Sequence, residues 1–516
     1  MSSIFPLFVF ILSLLSVSST QSLRGTLIDC GAIVDSIING NKWIPDAEYI
    51  WGGTPKIVTR SVTVPFLSTV RSFPNNLHQK FCYVVPVFRG GKYMVRTTYF
   101  YGGVNGRDSP PVFDQMVDGT FWRTVNTTDD YALGLASYYE GVFLAQGKTM
   151  SVCIGSNTNT ESDPFISALE FVLLGDSLYN STDFGKYGLS LVARHSFGDN
   201  GTDIIRYPDD PFDRFWEPLG DSATGHTVAG NKNVSVSGFW NLPPQKVFET
   251  ALATRQAERM DLIWPPVLLT NSTYYIALYF ADNPDLSPEA SRVFDVIING
   301  VAYYKNLNVT SEGVAVFTKS WPLDGATNIT FIPAAGSIRG PLINGGEIFK
   351  VLDLGGRTLT RDVIALENLR NSTQNPPPDW NGDPCLPRQY SWTGVTCSDG
   401  PRIRVVSLNL TNMGLSGSLP RDISRLTALT GIWLGNNSLS GLIPDFSSLR
   451  RLETLHLEDN HFSGEIPSSL GNIQSLHELF LQNNNLTGQI PSNLTTKPGL
   501  NLKTSPGNHL SSLPPS

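Results

Sequence analysis

Apolar and polar positions change their period twice along the 516-residue chain. Over roughly the first 350 residues, short runs alternate apolar with polar residues and are separated by clusters of Gly, Pro, Asn and Asp, as in half-buried strands joined by tight turns. Tyr93-Met-Val-Arg-Thr-Thr-Tyr-Phe100 is such a run, followed by a Gly/Pro-rich loop and then Val112-Phe113-Asp114-Gln-Met-Val-Asp118-Gly119. The same succession returns as Tyr274-Tyr-Ile-Ala-Leu-Tyr-Phe280, a loop, and Val293-Phe294-Asp295-Val-Ile-Ile-Asn299-Gly300. Asp-Gly and Asn-Gly favour two-residue hairpins because both positions tolerate positive φ. Pro164-Phe-Ile-Ser-Ala-Leu-Glu170 and Pro341-Leu-Ile-Asn-Gly-Gly-Glu347 extend the register; Phe113 to Glu170 is 57 residues and Phe294 to Glu347 is 53. Order and spacing shared over half a domain predict two copies of one antiparallel β-sandwich, residues 22–188 and 189–356.

Past residue 356 the period lengthens. Thr360 reads as the cap of a short helix, with Asp362 in its first turn and Val363, Leu366 and Leu369 at helical spacing. The Asn/Pro-rich stretch 371–378 ends it. From Val405, Leu429, Leu452 and Leu476, spaced 24, 23 and 24 residues, one pattern repeats: Leu-x-x-Leu-x-Leu-x-x-Asn-x-Leu-x-Gly-x-Ile-Pro. Met413 stands at the Asn position and Leu419 at the Ile position of the first unit. Such a repeat predicts a leucine-rich solenoid. Its leucines stack inward; Asn437, Asn460 and Asn484 bond the turn backbone from inside; Gly441, Pro444, Gly464 and Pro467 shape the return path. The boundaries read as linker helix and cap at 357–404, about four repeats and a partial one (Leu500-Asn-Leu502) at 405–502, and a polar tail at 503–516.

Composition places this assembly. Ile4 to Val17 is apolar except for Pro6, Ser13 and Ser16, and Ser18, Ser19 and Thr20 follow. The stretch is too short for a bilayer core about 30 Å thick and reads as a secretory signal at 1–21. No later run of about 18 apolar residues exists, so no membrane span is expected after signal removal. Twelve Asn-x-Ser/Thr sequons, at Asn126, Asn180, Asn200, Asn233, Asn271, Asn308, Asn328, Asn371, Asn409, Asn436, Asn485 and Asn493, suit a secreted glycoprotein. The net charge of −8, with no Lys/Arg-rich block, argues against nucleic acid or anionic lipid as partner. Of five cysteines, Cys385 and Cys397 are close in sequence and are expected to pair. Among Cys30, Cys82 and Cys153 spacing does not choose; Cys82 and Cys153, both in strand-like runs, are favoured.

Candidate chemistry is sparse. Asp209, Asp210 and Asp213 could be paired acids, but carboxylates beside Pro and Arg are more often turn and capping groups. No metal-ligand spacing, nucleophile motif or His-centred triad is present, so neither metal, cofactor nor catalytic residue is assigned. A glycosidase would need two carboxylates about 5–10 Å apart, brought together only by folding. Trp43, Trp51, Trp122, Trp216 and Trp240 could stack on sugar, although core packing is the commoner role. One pattern stands out. Strand alternation puts Asn409, Trp433, His456 and Phe480 in a single outward column on the concave face of the solenoid, a candidate strip for partner binding. The alternatives are that repeats of this kind often carry such residues without a partner, or that the sandwiches cover them.

Several motifs occur together in a familiar order: Asp29-Cys30-Gly31, Arg71-Ser-Phe-Pro74 before Cys82-Tyr83, and Tyr207-Pro-Asp-Asp-Pro-Phe-Asp-Arg-Phe-Trp216. They resemble the tandem malectin-like ectodomain of plant receptor kinases. Trp380-Asn-Gly-Asp-Pro-Cys385 and Trp392-Thr-Gly-Val-Thr-Cys397 resemble the cap of plant leucine-rich repeats, with the Gly-Asp-Pro-Cys motif of the symbiosis receptor kinase group. In that group the motif is also linked with ectodomain cleavage. The resemblance implies a mainly β fold, two tandem malectin-like sandwiches and a short plant-type solenoid, and a recognition role in the cell wall space. The sequence is expected to depart from the family after residue 516, with no span and no kinase, as a secreted, kinase-less relative. Its expected partner is a receptor ectodomain or a secreted peptide or protein, engaged as co-receptor or decoy. Cell-wall carbohydrate is an alternative ligand, and inhibition of secreted hydrolases an alternative role. Malectin itself grips sugar with loop aromatics. The matching loops here, 102–112 and 281–293, contain none, which weakens that alternative.

Overall fold

The computed structural model describes residues 23–511 except 61, 63, 107, 223, 285–291 and 401. The proposed signal peptide at 1–21 lies outside the described residues. Each repeat in sequence forms a sandwich. In the first, a layer of Lys80–Pro86, Thr149–Gly155, Val112–Val117 and Thr120–Asn126 faces strands that include Lys92–Tyr99, Ser137–Leu144 and Ala168–Leu174. In the second, Met260–Ile263, Asn328–Pro333, Val293–Ile298 and Val301–Asn308 form the matching layer over Leu269–Phe280 and Gly345–Asp353. The Asp118-Gly119 and Asn299-Gly300 pairs turn both hairpins, with φ of 45° and 79°, then 48° and 80°.

The two sandwiches are not separate beads. Tyr187–Phe197 pairs with Ser137–Leu144 of the first and with Gly345–Asp353 of the second, so their main layers fuse into one 11-stranded sheet. One face of that sheet closes each sandwich core, around Tyr93, Val95, Phe113 and Phe171 in the first and Ile276, Leu278, Phe294 and Phe331 in the second. The other face would be a large apolar expanse. It is covered by the connecting segment, whose Leu178, Tyr179, Phe184, Trp216, Phe239 and Phe248 pack with Met94, Val142, Tyr275 and Phe349.

Under this cover runs a row of charge. Arg96 donates to Glu140 (2.8 Å), Glu170 (3.0 Å) and Asp213 (3.0 Å). Arg194 donates to Glu140 (2.8 Å) and Glu347 (3.1 Å). Signs therefore alternate across the seam as Glu170, Arg96, Glu140, Arg194, Glu347, all buried. Arg206 joins at Asp213 (2.8 Å), and Arg214 pairs with Asp210 (2.8 Å). Burial opposes charge on Glu140, yet Arg96 and Arg194 prevail and hold its carboxyl below the usual range. On Glu170 burial prevails over Arg96, and the carboxyl is pushed up. Asp210 and Asp213 accept from the Phe212 and Tyr207 amides, as turn residues are expected to, and through Arg214, Arg96 and Arg206 they also anchor the cover to the sheet. Asp209 is exposed and pairs with Lys246 at 3.0 Å.

The solenoid attaches to the first sandwich through its cap. Tyr390 donates to Asp114 (2.8 Å), and the Lys80 ammonium reaches the carbonyls of Asp383 (2.6 Å) and Leu386. Burial lowers the Lys80 pKa to about 8. Gly382 lies so close to the Cys82–Cys153 disulfide that a Cβ there would come within 2.7 Å of the Cys82 sulfur. Trp380, Asn381, Pro384 and Cys385 are buried. The Gly-Asp-Pro-Cys segment is therefore the packed joint between cap and sandwich, and cleaving it requires opening that joint. A second disulfide joins Cys385 and Cys397, and Cys30 is buried and free.

Two local expectations need correction. Helix Thr360–Ser372 starts at Thr360, with Leu359 at the cap position and no side-chain cap bond. Asp362, in the first turn, is instead buried and accepts from Arg404 (2.8 Å) and the Val405 amide (3.0 Å), tying helix to repeat. Nor is the segment after residue 502 all polar tail. Asn501–Lys503 pairs with Glu478–Phe480, and His509–Ser511 pairs with Asn485–Gln489, completing a further coil. Asn508 accepts from the Leu486 amide (2.9 Å) and donates to Leu481 (2.8 Å), as Asn484 does for Phe462 and Leu457 one coil earlier.

Candidate functional site

The solenoid's parallel strands Val405–Asn409, Gly431–Trp433, Thr454–His456, Glu478–Phe480 and Asn501–Lys503 stand in register. Their alternate residues Leu408, Ile432, Leu455 and Leu479 point into the core and are fully buried. The residues between point outward. Register pairs Asn409 with Trp433, Trp433 with His456, His456 with Phe480 and Phe480 with Lys503, so the four expected residues form one ladder and Lys503 extends it. Lys503 escaped notice because its repeat departs from the consensus after Leu502.

The rings touch. His456 stacks on Phe480 with centroids 4.2 Å apart and an interplanar angle of 17°, and Trp433 meets His456 edge-on at 6.2 Å. The Lys503 ammonium sits 4.1 Å from the Phe480 centroid, a cation–π contact. Trp433 lies over Gly431, where a Cβ would meet its ring at 2.0 Å; Glu458 lies over Gly435, where a Cβ would meet its carboxylate at 2.6 Å. Gly431 therefore leaves the space that the Trp433 ring fills, and Gly435 the space that the Glu458 carboxylate fills. Carboxylates flank the central imidazole: Glu478 is 3.0 Å from His456 Nε2, and Glu458 is 3.8 Å from Nδ1. Trp433, His456 and Phe480 are half-buried and Asn409 is exposed. Among the described residues, the sandwiches hold the solenoid at its cap, through residues 355–390, rather than by bonds to this face.

Other candidates go elsewhere. Trp43, Trp122 and Trp216 are core residues, Trp240 stacks on Phe317 at 4.2 Å, and Trp51 is exposed. His461 belongs to the opposite sheet, in His461–Glu465. Ten sequon asparagines are exposed: Asn126, Asn180, Asn200, Asn233, Asn271, Asn308, Asn371, Asn409, Asn436 and Asn485. Asn328 and Asn493 are half-buried, with Asn493 donating to the Ser468 carbonyl at 2.9 Å. Sequence reasoning missed a cleft of about 510 Å³ between the first sandwich and the linker helix, lined by Arg89, Lys148, Arg357 and Glu367 among others. Among the described residues no group of three or more His, Cys, Asp or Glu could hold a metal ion, and no helix is long and apolar enough to cross a membrane.

Comparison with known proteins agrees with this architecture. The malectin-like domain model matches residues 28–351, the leucine rich repeat N-terminal domain model 359–398, and the leucine rich repeat model 451–473 and 475–496. An Arabidopsis thaliana protein named a probable LRR receptor-like serine/threonine-protein kinase is 31% identical over 84% of this chain and 48% of its own length. A second leucine-rich repeat receptor-like serine/threonine-protein kinase of that plant is 30% identical over 81% of this chain and 49% of its own. The chain thus spans about half the length of these relatives. Among solved structures, the ANX2 ectodomain from Arabidopsis thaliana aligns with a TM-score of 0.53 at 17% identity, over 64% of this chain and 97% of that one. FER, in a complex of plant peptide RALF23 with FER and LLG2, aligns at 0.51 and 19% identity, over 64% and 96%. Both likenesses concern the fold.

Proposed function

Since the chain belongs to the malectin-like domain family, we propose that it works outside the cell as a non-enzymatic recognition ectodomain, presenting the Trp433–His456–Phe480 ladder to an extended peptide or protein segment. The observation that carries this reading is the contrast in how aromatic rings are used. In the sandwiches they are mostly sealed in cores; on the solenoid strands three half-buried rings touch along consecutive coils, one pair edge-on and one stacked. A column of half-desolvated rings with polar neighbours is the composition of a binding hot spot. That FER is found with a peptide and a second protein supports a peptide or receptor partner for a relative of the same fold. Sugar binding gains no support, because neither loop 102–112 nor loop 281–293 supplies a ring.

The test is binding of the purified chain to a panel of receptor ectodomains and secreted peptides, then repetition with Trp433→Ala and Phe480→Ala. Each variant is expected to weaken a verified partner by about 2 kcal/mol with little change in thermal unfolding. Unchanged affinity removes the ladder from the reading. Hydrolysis of wall polysaccharides by the purified chain would overturn its non-enzymatic part.

A further inference from the structure

We propose that the ladder selects a cationic side chain: an extended peptide lays a Lys or Arg across Trp433, with its charged head beside the Glu458 and Glu478 carboxylates that flank His456. This rests on the ladder being a peptide site and adds the chemistry of the residue it takes.

Three observations lead there. The first is an imbalance of charge. Glu458 and Glu478 flank His456 from opposite sides, and their side chains are only 18% and 31% exposed. Among the described residues neither has a Lys or Arg partner; their neighbours are the imidazole and, for Glu478, the Asn501 amide at 3.3 Å. The sandwiches resolve the same situation differently, giving every buried carboxylate of the seam an arginine. Half-buried carboxylates without a fixed cation favour a cationic ligand, since pairing at low effective dielectric is stronger than in bulk water.

The second is that the ladder already holds a cation at one end. Lys503 stands over Phe480 at 4.1 Å. Trp433, the better cation–π partner by its larger π-face, has no such occupant among the described residues. The third is room. Gly431 carries no side chain, so the outer edge of the Trp433 ring folds over it, and the half-buried indole keeps surface for an incoming aliphatic stem. Trp433, His456 and Phe480 stand on strands that are paired on both sides, so selection over the rings falls to side-chain pockets rather than to strand addition.

The experiment selects a random dodecapeptide library, displayed on phage, against the full chain, and repeats it with three folded variants: Trp433→Ala, Phe480→Ala and the double variant Glu458→Gln/Glu478→Gln. The expected result is enrichment of Lys or Arg among peptides whose binding needs Trp433 and Phe480. Synthetic versions should lose roughly tenfold in affinity on the double variant, and a similar amount when the Lys or Arg is replaced by norleucine or citrulline. Peptides that need both rings but show no cation enrichment, or that ignore the glutamine variants, overturn this inference and leave the ladder reading standing. Peptides indifferent to both rings overturn both. Matching thermal unfolding of the double variant, whose side chains keep their shape, guards against loss by misfolding.

Discussion

The paired sandwiches and the solenoid both run a line of polar side chains through their interiors, but of different kinds. The seam between sandwiches carries full charges, Glu170 to Glu347, each matched by a guanidinium. The solenoid carries amides, Asn437, Asn460, Asn484 and Asn508, each satisfied by backbone of its own and the preceding coil. A neutral amide with backbone partners demands little desolvation and can be repeated at every coil. A buried ion row demands a great deal and holds only while complete. The sandwich pair thus behaves as one sealed body fixed by a single network, whereas the solenoid is a stack of nearly independent layers with its outward face left free.

Removing one arginine should break this comparison hardest. Arg96→Ala leaves the buried Glu170 carboxylate without a cation and takes one of two from Glu140 and Asp213, which keep Arg194 and Arg206, and the expected loss is about 3–5 kcal/mol in denaturant unfolding. Because the sheet is shared, both sandwiches should lose stability in one transition. Separate melting of the two, followed by fluorescence in one and hydrogen exchange in the other, would show that the seam does not couple them.

The next effect is a pH dependence within the same sheet. His195, buried on the seam strand Tyr187–Phe197, accepts from Trp264 Nε1 at 3.0 Å, and burial lowers its pKa to about 4. Between about 4 and 6.5 the unfolded chain binds the proton that the folded chain refuses. Stability contributed by neutral His195 is therefore complete above 6.5 and lost as pH falls towards 4, by about 3 kcal/mol. Asp29 acts in the opposite sense. Burial raises its carboxyl to about 6, so the folded chain binds the extra proton between 3.8 and 6, and stability falls as pH rises through that range. The informative measurement is the difference between the chain and His195→Gln from pH 4 to 7; equal slopes would refute the assignment.

An amide of the solenoid should cost less. Asn460→Ala leaves the Leu439 amide without its side-chain acceptor and takes one of two amide donors from the Leu434 carbonyl, which keeps Asn437, for about 2 kcal/mol in denaturant unfolding. A loss equal to that of Arg96→Ala would erase the distinction between the two interiors.

The contrast was only half legible in sequence. Periodicity exposed the solenoid coil by coil, because each unit reuses one pattern and its neighbours in space are its neighbours in sequence. Internal repetition exposed both sandwiches through Phe113-Asp114 and Phe294-Asp295. Their fusion was not legible: it depends on Tyr187–Phe197 pairing on both sides, and nothing in an alternating run states how many partners it takes. The ion row was hidden for the same reason. Glu140 and Arg194 lie 54 residues apart and meet only across the seam. Asp210 and Asp213 read as turn residues because their neighbours are Pro and Arg, and their burial is a property of the cover, not of the motif. The final coil was missed because Thr504 to Asn508 carries one residue more than the unit before it, which moves Asn508 off the consensus position.

The smallest expected change in stability offers the sharpest test of the open face. Gly431 has an ordinary backbone conformation, so Ala costs no strain there. Its new Cβ would meet the outer edge of the Trp433 ring at 2.0 Å, and the ring can swing away into solvent at the cost of little buried contact. Gly431→Ala should therefore shift stability by no more than about 0.5 kcal/mol. It should also move Trp433 off the strand, changing its fluorescence, and weaken whatever the ladder binds almost as much as Trp433→Ala does. A surface that worked only as solenoid packing would show the reverse: a clear stability loss with binding intact. The sandwich seam has no position where one methyl group could separate the two readings, because there every ring and charge supports the fold.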